Sequence, residues 1–162
     1  MLEIRMAKIE EVEEIINIEK ECFPPEEAAN EEDIRKRFDT FNENFVVAIR
    51  NDKVIGFVNG CTTNKPNLPD ELYHDTSLHN PKGDYQTVFG LDVLPEYRRN
   101  GVGEKLLNHL IQLSKNRGKK GMVLTCKDHL VNYYEKFGFE HRGVSSSSHG
   151  GAKWNDMVMI FE

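Results

Sequence analysis

The stretch Leu-Asp-Val-Leu-Pro-Glu-Tyr-Arg-Arg-Asn-Gly-Val-Gly-Glu, residues 91–104, decides the fold of this chain. It begins with the end of an apolar run that is typical of a strand, and Pro95 prevents that strand from continuing. Apolar residues then recur at helical spacing, at Val102, Leu106, Leu110 and Leu113. The sequence therefore predicts a strand that turns through two glycines into the N-terminus of a helix with one buried face.

Such a turn is a candidate anion site. The first N–H groups of a helix have no partner inside it, and the helix dipole adds positive potential there. Gly101 and Gly103 lack Cβ atoms, so a phosphate can approach the backbone, and Arg98 and Arg99 add positive charge. Leu106 stands where a dinucleotide fingerprint has its third glycine, and no Walker loop occurs. On the two glycines alone, an ordinary strand–helix turn is an equally good interpretation.

Composition limits the class of protein. A length of 162 residues, 38% hydrophobic and 30% charged, predicts one domain over residues 1–162. The net charge of −6 argues against a nucleic-acid partner and favours cationic ones. We expect no membrane segment and no signal peptide, because no apolar run approaches about 20 residues. Three widely spaced cysteines fit a reducing cytoplasm, and the six histidines have no metal-ligand spacing, so we expect no metal. Monomer and homodimer both stay open.

The remaining patterns predict alternating helices and strands. Strands are expected at 2–6, 45–49, 54–58, 85–93, 122–126, 139–144 and 157–161. Helices are expected at about 9–23, 34–41, 102–117 and 129–136, with loop or a single helical turn over 62–84. Asn51-Asp52 is expected to form a hairpin turn, and residues 145–151 are expected to form a mobile hairpin loop, with a lid as the alternative. This is an α/β organisation with a mixed sheet, in which the strands around the glycine turn form a parallel pair with a right-handed crossover.

The wider pattern resembles the GNAT N-acetyltransferases. It consists of Leu-Xaa-Val, Pro-Xaa-Tyr-Arg, Arg-Xaa-Xaa-Gly-Xaa-Gly and a later Tyr-Glu-Lys-Phe-Gly-Phe. The arylalkylamine N-acetyltransferase branch is the most similar, through residues 19–23, 78–83 and 126–139. The resemblance implies a mixed, mostly antiparallel sheet with a central splayed parallel pair and about four flanking helices. It also implies acetyl-coenzyme A as the cosubstrate.

Site residues follow from the same resemblance. The coenzyme is expected along Leu91, Asp92, Val93, Arg98, Arg99, Asn100, Gly101, Val102, Gly103 and Glu104. Tyr134 matches a tyrosine that donates a proton to the coenzyme sulfur, while Tyr133 is expected in the core. The amine is expected against Phe23, Pro24, Glu21 and Thr125. Cys126 is expected to be a buried structural thiol.

Acetyl transfer needs a neutral amine, and the proton acceptor is the open question. An alkylamine has a pKa of about 10.4, so a proton must leave before or during attack. Thr87 and Phe89 occupy the positions of two histidines in the animal arylalkylamine enzymes, and neither can replace them. His79 is expected to be a polar surface residue of a loop. The carboxylates near the amine are expected to have ordinary pKa values of about 4; we rank Asp92 low among them because it should point away from the face of Leu91 and Val93. Glu21, Glu26 and Glu27 bind the ammonium group, relay its proton through water, or simply form a solvated acidic helix end.

The sequence is thus interpreted as a cytoplasmic acetyl-coenzyme A-dependent N-acetyltransferase. We expect a small primary amine, an arylalkylamine or a polyamine, as acceptor. Acetylation of a protein N-terminus or lysine is a second interpretation. A coenzyme A-binding module without catalysis is a third, which the missing histidine pair favours and Tyr134 opposes.

Overall fold

A computed structural model describes all 162 residues. The helices are α1 (Val12–Cys22), α2 (Glu31–Phe41), α3 (Glu71–His74), α4 (Val102–Asn116) and α5 (Val131–Glu135). The strands are β1 (Leu2–Met6), β2 (Val46–Arg50), β3 (Lys53–Asn59), β4 (Thr62–Thr63), β5 (Tyr85–Val88), β6 (Gly90–Val93), β7 (Gly121–Cys126), β8 (Glu140–Val144) and β9 (Asn155–Ile160). None of the helices combines the length and the apolar character that crossing a membrane requires.

The chain forms two compact units, and each is built from two separate segments. Unit 1 contains Met1–Gly60 and Phe89–Gln112, and unit 2 contains Cys61–Val88 and Leu113–Glu162. That the whole chain acts as one domain stays a prediction.

Unit 1 carries a four-stranded antiparallel sheet in the order β1-β2-β3-β6. The predicted edge position of β1 and the predicted hairpin between β2 and β3 are confirmed. Asn51 and Asp52 have φ values of 52° and 62°, as a tight turn between twisted strands requires. Strand β6 approaches β3 closely, because a Cβ on Gly56 would lie 2.7 Å from the Asp92 carbonyl oxygen. Gly56 therefore lets β6 pair at this distance.

The core of unit 1 is aromatic. Phe41, Phe45 and Phe57 are among its largest fully buried side chains. The ring centroids of Phe45 lie 6.0 Å from Phe41 and 6.5 Å from Phe57, which connects α2 to the sheet. Burying rings of this size contributes about 1.5–3 kcal/mol each, so this cluster fixes where α2 lies.

Unit 2 carries a five-stranded sheet in the order β4-β5-β7-β9-β8. Strands β5 and β7 are parallel, from the pair Tyr85–Gly121 to the pair Val88–Leu124, and the other neighbours are antiparallel. Beyond Leu124, β7 continues for two residues that pair with β9. The predicted mixed, mostly antiparallel architecture with one parallel pair is confirmed.

One detail of the predicted fold was wrong. The single strand expected over residues 85–93 is interrupted at Phe89, and its halves belong to different sheets. Up to Val88 the strand pairs with β7 in unit 2. From Phe89 onward the partner is β3 in unit 1: the N–H group of Phe89 donates to the Asn59 carbonyl at 2.7 Å, and the following residues pair with β3. The strands thus form two sheets rather than one because the pairing partners change at this residue. The single helical turn expected within residues 62–84 forms α3, so the structure has five helices.

Candidate active site

The turn between β6 and α4 has the shape that the glycines predict. A 3₁₀ turn over Pro95–Tyr97 follows β6, and the Gly101 carbonyl accepts the N–H of Lys105 at 3.1 Å, which begins α4. Arg99 and Gly101 have φ values of 66° and 79°, so the backbone turns twice through left-handed conformations. Backbone N–H groups in such turns form concavities that bind anions.

This turn is open and cationic. No heavy atom lies within 4 Å of the position that a Cβ on Gly101 would take. Arg98, Arg99 and Asn100 are exposed, and the Arg98 Nε donates to the Val93 carbonyl at 2.8 Å, which fixes the guanidinium at the end of β6. Val102 is buried, Gly103 is half-buried and Glu104 is exposed. The open side of the turn can therefore accommodate a phosphate beside the N-terminus of α4; the binding role of residues 91–104 stays a prediction.

Tyr134 lies on α5 and is 8% exposed. Its ring centroid lies 5.1 Å from that of Tyr133 and 5.9 Å from that of Phe139, both in edge-on orientation. Tyr133 is only half-buried, so the expectation that Tyr133 is the core residue of the two was wrong. Packing holds the Tyr134 ring firmly, as a residue that delivers a proton at a fixed position requires.

The residues predicted to contact the amine occur in both units. In unit 1, Phe23 is half-buried and Glu21 is exposed. The Pro24 carbonyl accepts the N–H groups of Glu27 and Ala28 at 2.9 Å each, which folds the segment after α1 into a turn. In unit 2, Thr125 is half-buried on β7, and the Thr125 Oγ1 lies 3.2 Å from the Tyr73 hydroxyl.

The histidine positions of the animal enzymes are occupied by structural residues. Thr87 is completely buried, and its Oγ1 donates to the Cys61 carbonyl at 3.0 Å. The Phe89 ring lies 4.6 Å from the Arg37 guanidinium carbon. His79 is not the surface residue that was expected, because its Nδ1 accepts the Thr62 N–H at 3.1 Å and its Nε2 is buried. This bond ties its loop to β4.

The segment 145–151 is held rather than free, contrary to the sequence prediction. The Ser147 hydroxyl donates to Asp70, and the Ser148 N–H donates to the same carboxylate at 3.3 Å. The His149 ring stacks on Tyr73 with centroids 5.3 Å apart and an interplanar angle of 8°. The segment therefore covers α3 in unit 2.

The thiols behave as buried groups. Burial, with a smaller contribution from the charge of Asp128, raises the pKa of Cys126 to about 11. A raised pKa keeps the thiol protonated and unreactive, as expected of a structural cysteine. No three His, Cys, Asp or Glu side chains of the 162 residues form a group that could hold a metal ion.

Unit 1 contains a buried acidic pair that was not predicted from the sequence. Asp92 is 1% exposed and Glu19 is 6% exposed. Burial raises the pKa of Asp92 well above its ordinary value, and the neighbouring charge of Glu19 raises the pKa further. The expectation of ordinary carboxylates is therefore wrong for Asp92. The Glu19 Oε2 accepts the Ala29 N–H at 2.8 Å, so Glu19 also holds the segment that follows α1.

A sequence signal for this pair exists. Glu19 lies four residues after Ile15 and three after Ile16, so it falls on the apolar face of α1. Asp92 interrupts an apolar run, residues 88–94. Carboxylates at core positions are rare unless they are paired, so each position alone was anomalous. Only the fold shows that the two anomalies meet.

Comparison with known proteins identifies the family. The profile of the acetyltransferase (GNAT) family matches residues 12–139. The chain belongs to the acetyltransferase (GNAT) family. Membership confirms the resemblance at the level of the superfamily.

Two relatives illustrate the sequence similarity of this GNAT chain. It is 28% identical over 127 residues to the uncharacterized N-acetyltransferase YkwB of Bacillus subtilis (strain 168), covering 72% of this chain and 56% of the relative. It is 30% identical over 106 residues to serotonin N-acetyltransferase of Mesocricetus auratus, covering 65% of this chain and 50% of the relative. The chain thus spans about half the length of the curated relatives it matches.

A solved structure illustrates the similarity of the GNAT fold. The GphF GNAT-like decarboxylase in complex with isobutyryl-CoA superimposes with a TM-score of 0.81 at 16% identity, covering 98% of both chains. The fold is therefore shared over nearly the whole chain with a protein that binds an acyl-coenzyme A.

Proposed function

We propose that this protein transfers the acetyl group of acetyl-coenzyme A to the nitrogen of a small primary amine. The open, cationic turn between β6 and α4 carries the proposal. In a GNAT chain, this is the feature that binds the pyrophosphate of the coenzyme, through Arg98, Arg99 and the backbone from Asn100 to Glu104. Gly101 supports this assignment because its open surroundings leave room for a phosphate.

Each remaining residue has a role in the proposed reaction. Leu91, Asp92 and Val93 present the β6 backbone to the pantetheine arm. The amine nitrogen attacks the acetyl carbon, a C–N bond forms and the C–S bond breaks. Tyr134 then donates its hydroxyl proton to the departing thiolate and regains a proton from solvent. A tyrosine hydroxyl suits this role because free tyrosine has a pKa of about 10 and is protonated at pH 7.

Two observations support a small amine as acceptor. Serotonin N-acetyltransferase is among the sequence relatives, which favours an arylalkylamine. The net charge of −6 and the exposed Glu21 favour a cationic acceptor, including a polyamine. Phe23 and Pro24 are the proposed apolar wall for the amine, and Thr125 is a further proposed contact of the amine.

A thiol-release assay tests the proposal. Acetyl-coenzyme A is incubated with the protein and with tryptamine, spermidine or no amine, and free coenzyme thiol is measured with a chromogenic disulfide. We expect release that depends on the amine, together with a mass increase of one acetyl group on that amine. Coenzyme binding without amine-dependent release would contradict the enzymatic proposal and leave a coenzyme-binding module. Acetylation of peptides but not of small amines would contradict the acceptor class.

A further inference from the structure

A carboxyl group without a protein hydrogen-bond donor lies at the centre of unit 1. Asp92 is 1% exposed, and neither of its side-chain oxygens accepts a hydrogen bond from a protein N–H or O–H donor. Buried polar groups are almost always satisfied, so an unsatisfied carboxylate needs an explanation. The Glu19 carboxyl faces it, and one proton shared between the two groups would form a hydrogen bond.

The charges around Asp92 come from two helices. Glu19 and Cys22 face it from α1, and Arg37 faces it from α2. Arg37 is 4% exposed and its guanidinium also lies over the Phe89 ring. Arg37 is thus the one cation beside two carboxyl groups. The cluster of Arg37, Glu19 and Asp92 has no net charge when the two carboxyls share one proton. The surroundings therefore favour uptake of one proton by the ionised pair.

A missing side chain leaves room above the pair. Gly90 and Asp92 lie on the same face of β6, since they are two residues apart. A Cβ on Gly90 would lie 2.8 Å from the Asp92 Oδ1 and 3.7 Å from the Glu19 Oε1. Gly90 itself is half-buried. The absence of a side chain at Gly90 therefore makes space for the Asp92 carboxyl, and the pair lies against a half-buried residue of the strand.

We propose that the Glu19–Asp92 pair takes the proton that the acceptor amine loses during acetyl transfer; the inference rests on the proposed acetyltransferase function. The nitrogen lone pair forms the C–N bond while the C–S bond breaks. The N–H proton passes to the ionised pair, and Tyr134 protonates the coenzyme thiolate to the thiol. The pair then releases its proton to solvent, and Tyr134 regains one from solvent. Glu19 also connects the pair to the segment around Ala29, which follows the proposed amine wall.

The test compares pH profiles of kcat/KM for wild type and Asp92→Asn, with tryptamine and spermidine as acceptors. We expect an ascending limb in the wild type whose apparent pKa lies above the carboxyl range and belongs to the pair. In Asp92→Asn, kcat/KM should fall by about 100-fold or more and this limb should disappear, while calorimetric affinity for acetyl-coenzyme A changes less than twofold. Gly90→Ala, which displaces the Asp92 carboxyl, should lower the rate without removing a titrating group.

Glu19→Gln and Glu13→Gln form the matched pair of controls. Both change a glutamate of α1, but the Glu13 side chain is 74% exposed and pairs with Arg35 at the surface. Only Glu19→Gln should alter the pH profile. An Asp92→Asn enzyme with the wild-type rate and profile would overturn the role of the pair and leave the acetyltransferase proposal intact.

A second measurement separates the two proposals. Infrared spectra recorded between pH 5 and 9 should show a protonated carboxyl band in the wild type that is missing in Asp92→Asn. Absence of that band in an active wild-type enzyme would overturn the pair alone. A wild type that acetylates no amine would overturn the acetyltransferase proposal, and the role of the pair with it, whatever the band shows.

Discussion

Gly101 and Gly118 precede and follow α4 with nearly the same backbone conformation. Their φ values are 79° and 77°, and a Cβ at either position would meet no heavy atom within 4 Å. Replacing either glycine by aspartate therefore introduces no clash, only a side chain in the left-handed region. That conformation costs roughly 1–2 kcal/mol, which makes the two substitutions a matched pair.

The helix dipole separates the two variants in stability. An added negative charge is favourable at the N-terminus of α4 and unfavourable at its C-terminus, by about 0.3–1 kcal/mol. We expect the free energy of unfolding to fall by about 0–2 kcal/mol for Gly101→Asp and about 1–3 kcal/mol for Gly118→Asp. In a chain of this length, that corresponds to about 2–4 °C in Tm for each kcal/mol.

The two variants should rank in the opposite order in their affinity for the coenzyme, with Gly101→Asp the more impaired. We expect Gly101→Asp to weaken acetyl-coenzyme A binding by more than about tenfold, or roughly 1.4 kcal/mol, because a carboxylate would stand beside the phosphates. Gly118→Asp should bind like the wild type, although it is the less stable variant. Isothermal calorimetry and thermal unfolding of both proteins test this. Equal affinities would remove the turn from the coenzyme site and refute the assignment.

Three further predictions concern one group each. Tyr134→Phe removes the hydroxyl that donates a proton to the thiolate, so kcat should fall by about 10- to 1000-fold with the coenzyme Kd unchanged. A kcat within twofold of wild type would show that Tyr134 is only a core residue. Because burial raises the pKa of Asp92, the folded protein binds a proton more tightly than the unfolded chain, and wild-type stability falls as pH rises above about 3.8 towards the folded pKa. Urea unfolding should therefore show Asp92→Asn gaining stability relative to wild type between pH 4 and pH 8, by about 1.4 kcal/mol for each pH unit by which the pKa is raised; a constant difference would contradict this. Asn30→Ala should cost about 0.5–2 kcal/mol in the same assay, since the Asn30 side chain accepts the Asp33 N–H at 2.8 Å at the start of α2, and an unchanged midpoint would exclude a capping role.

Local chemistry explains the elements that sequence predicted well. Gly118 ends α4 with the expected motif, in which the N–H groups of Gly118 and Lys119 donate to the carbonyls of Lys115 and Ser114. The Asn51-Asp52 turn and the glycine turn before α4 are equally local. Each depends on a few adjacent residues whose conformational preferences agree.

Non-local pairing explains the features that the sequence did not reveal. The sequence from Tyr85 to Val93 reads as one continuous strand. The strand is interrupted at Phe89 only because the residues before and after it pair with different partner strands. The Glu19–Asp92 pair has the same origin, because α1 and β6 are distant in sequence. The pKa of Asp92 depends on what surrounds it after folding, so composition and spacing could not supply it.

The interleaved segments of the two units have a consequence for synthesis and for evolution. The chain passes from one unit to the other after residues 60, 88 and 112. During translation, unit 1 lacks β6 and α4 until the ribosome has already made all of the first segment of unit 2. In the same way, one genetic crossover cannot exchange either unit between two related genes, because three junctions would be needed to move unit 1 or unit 2 whole.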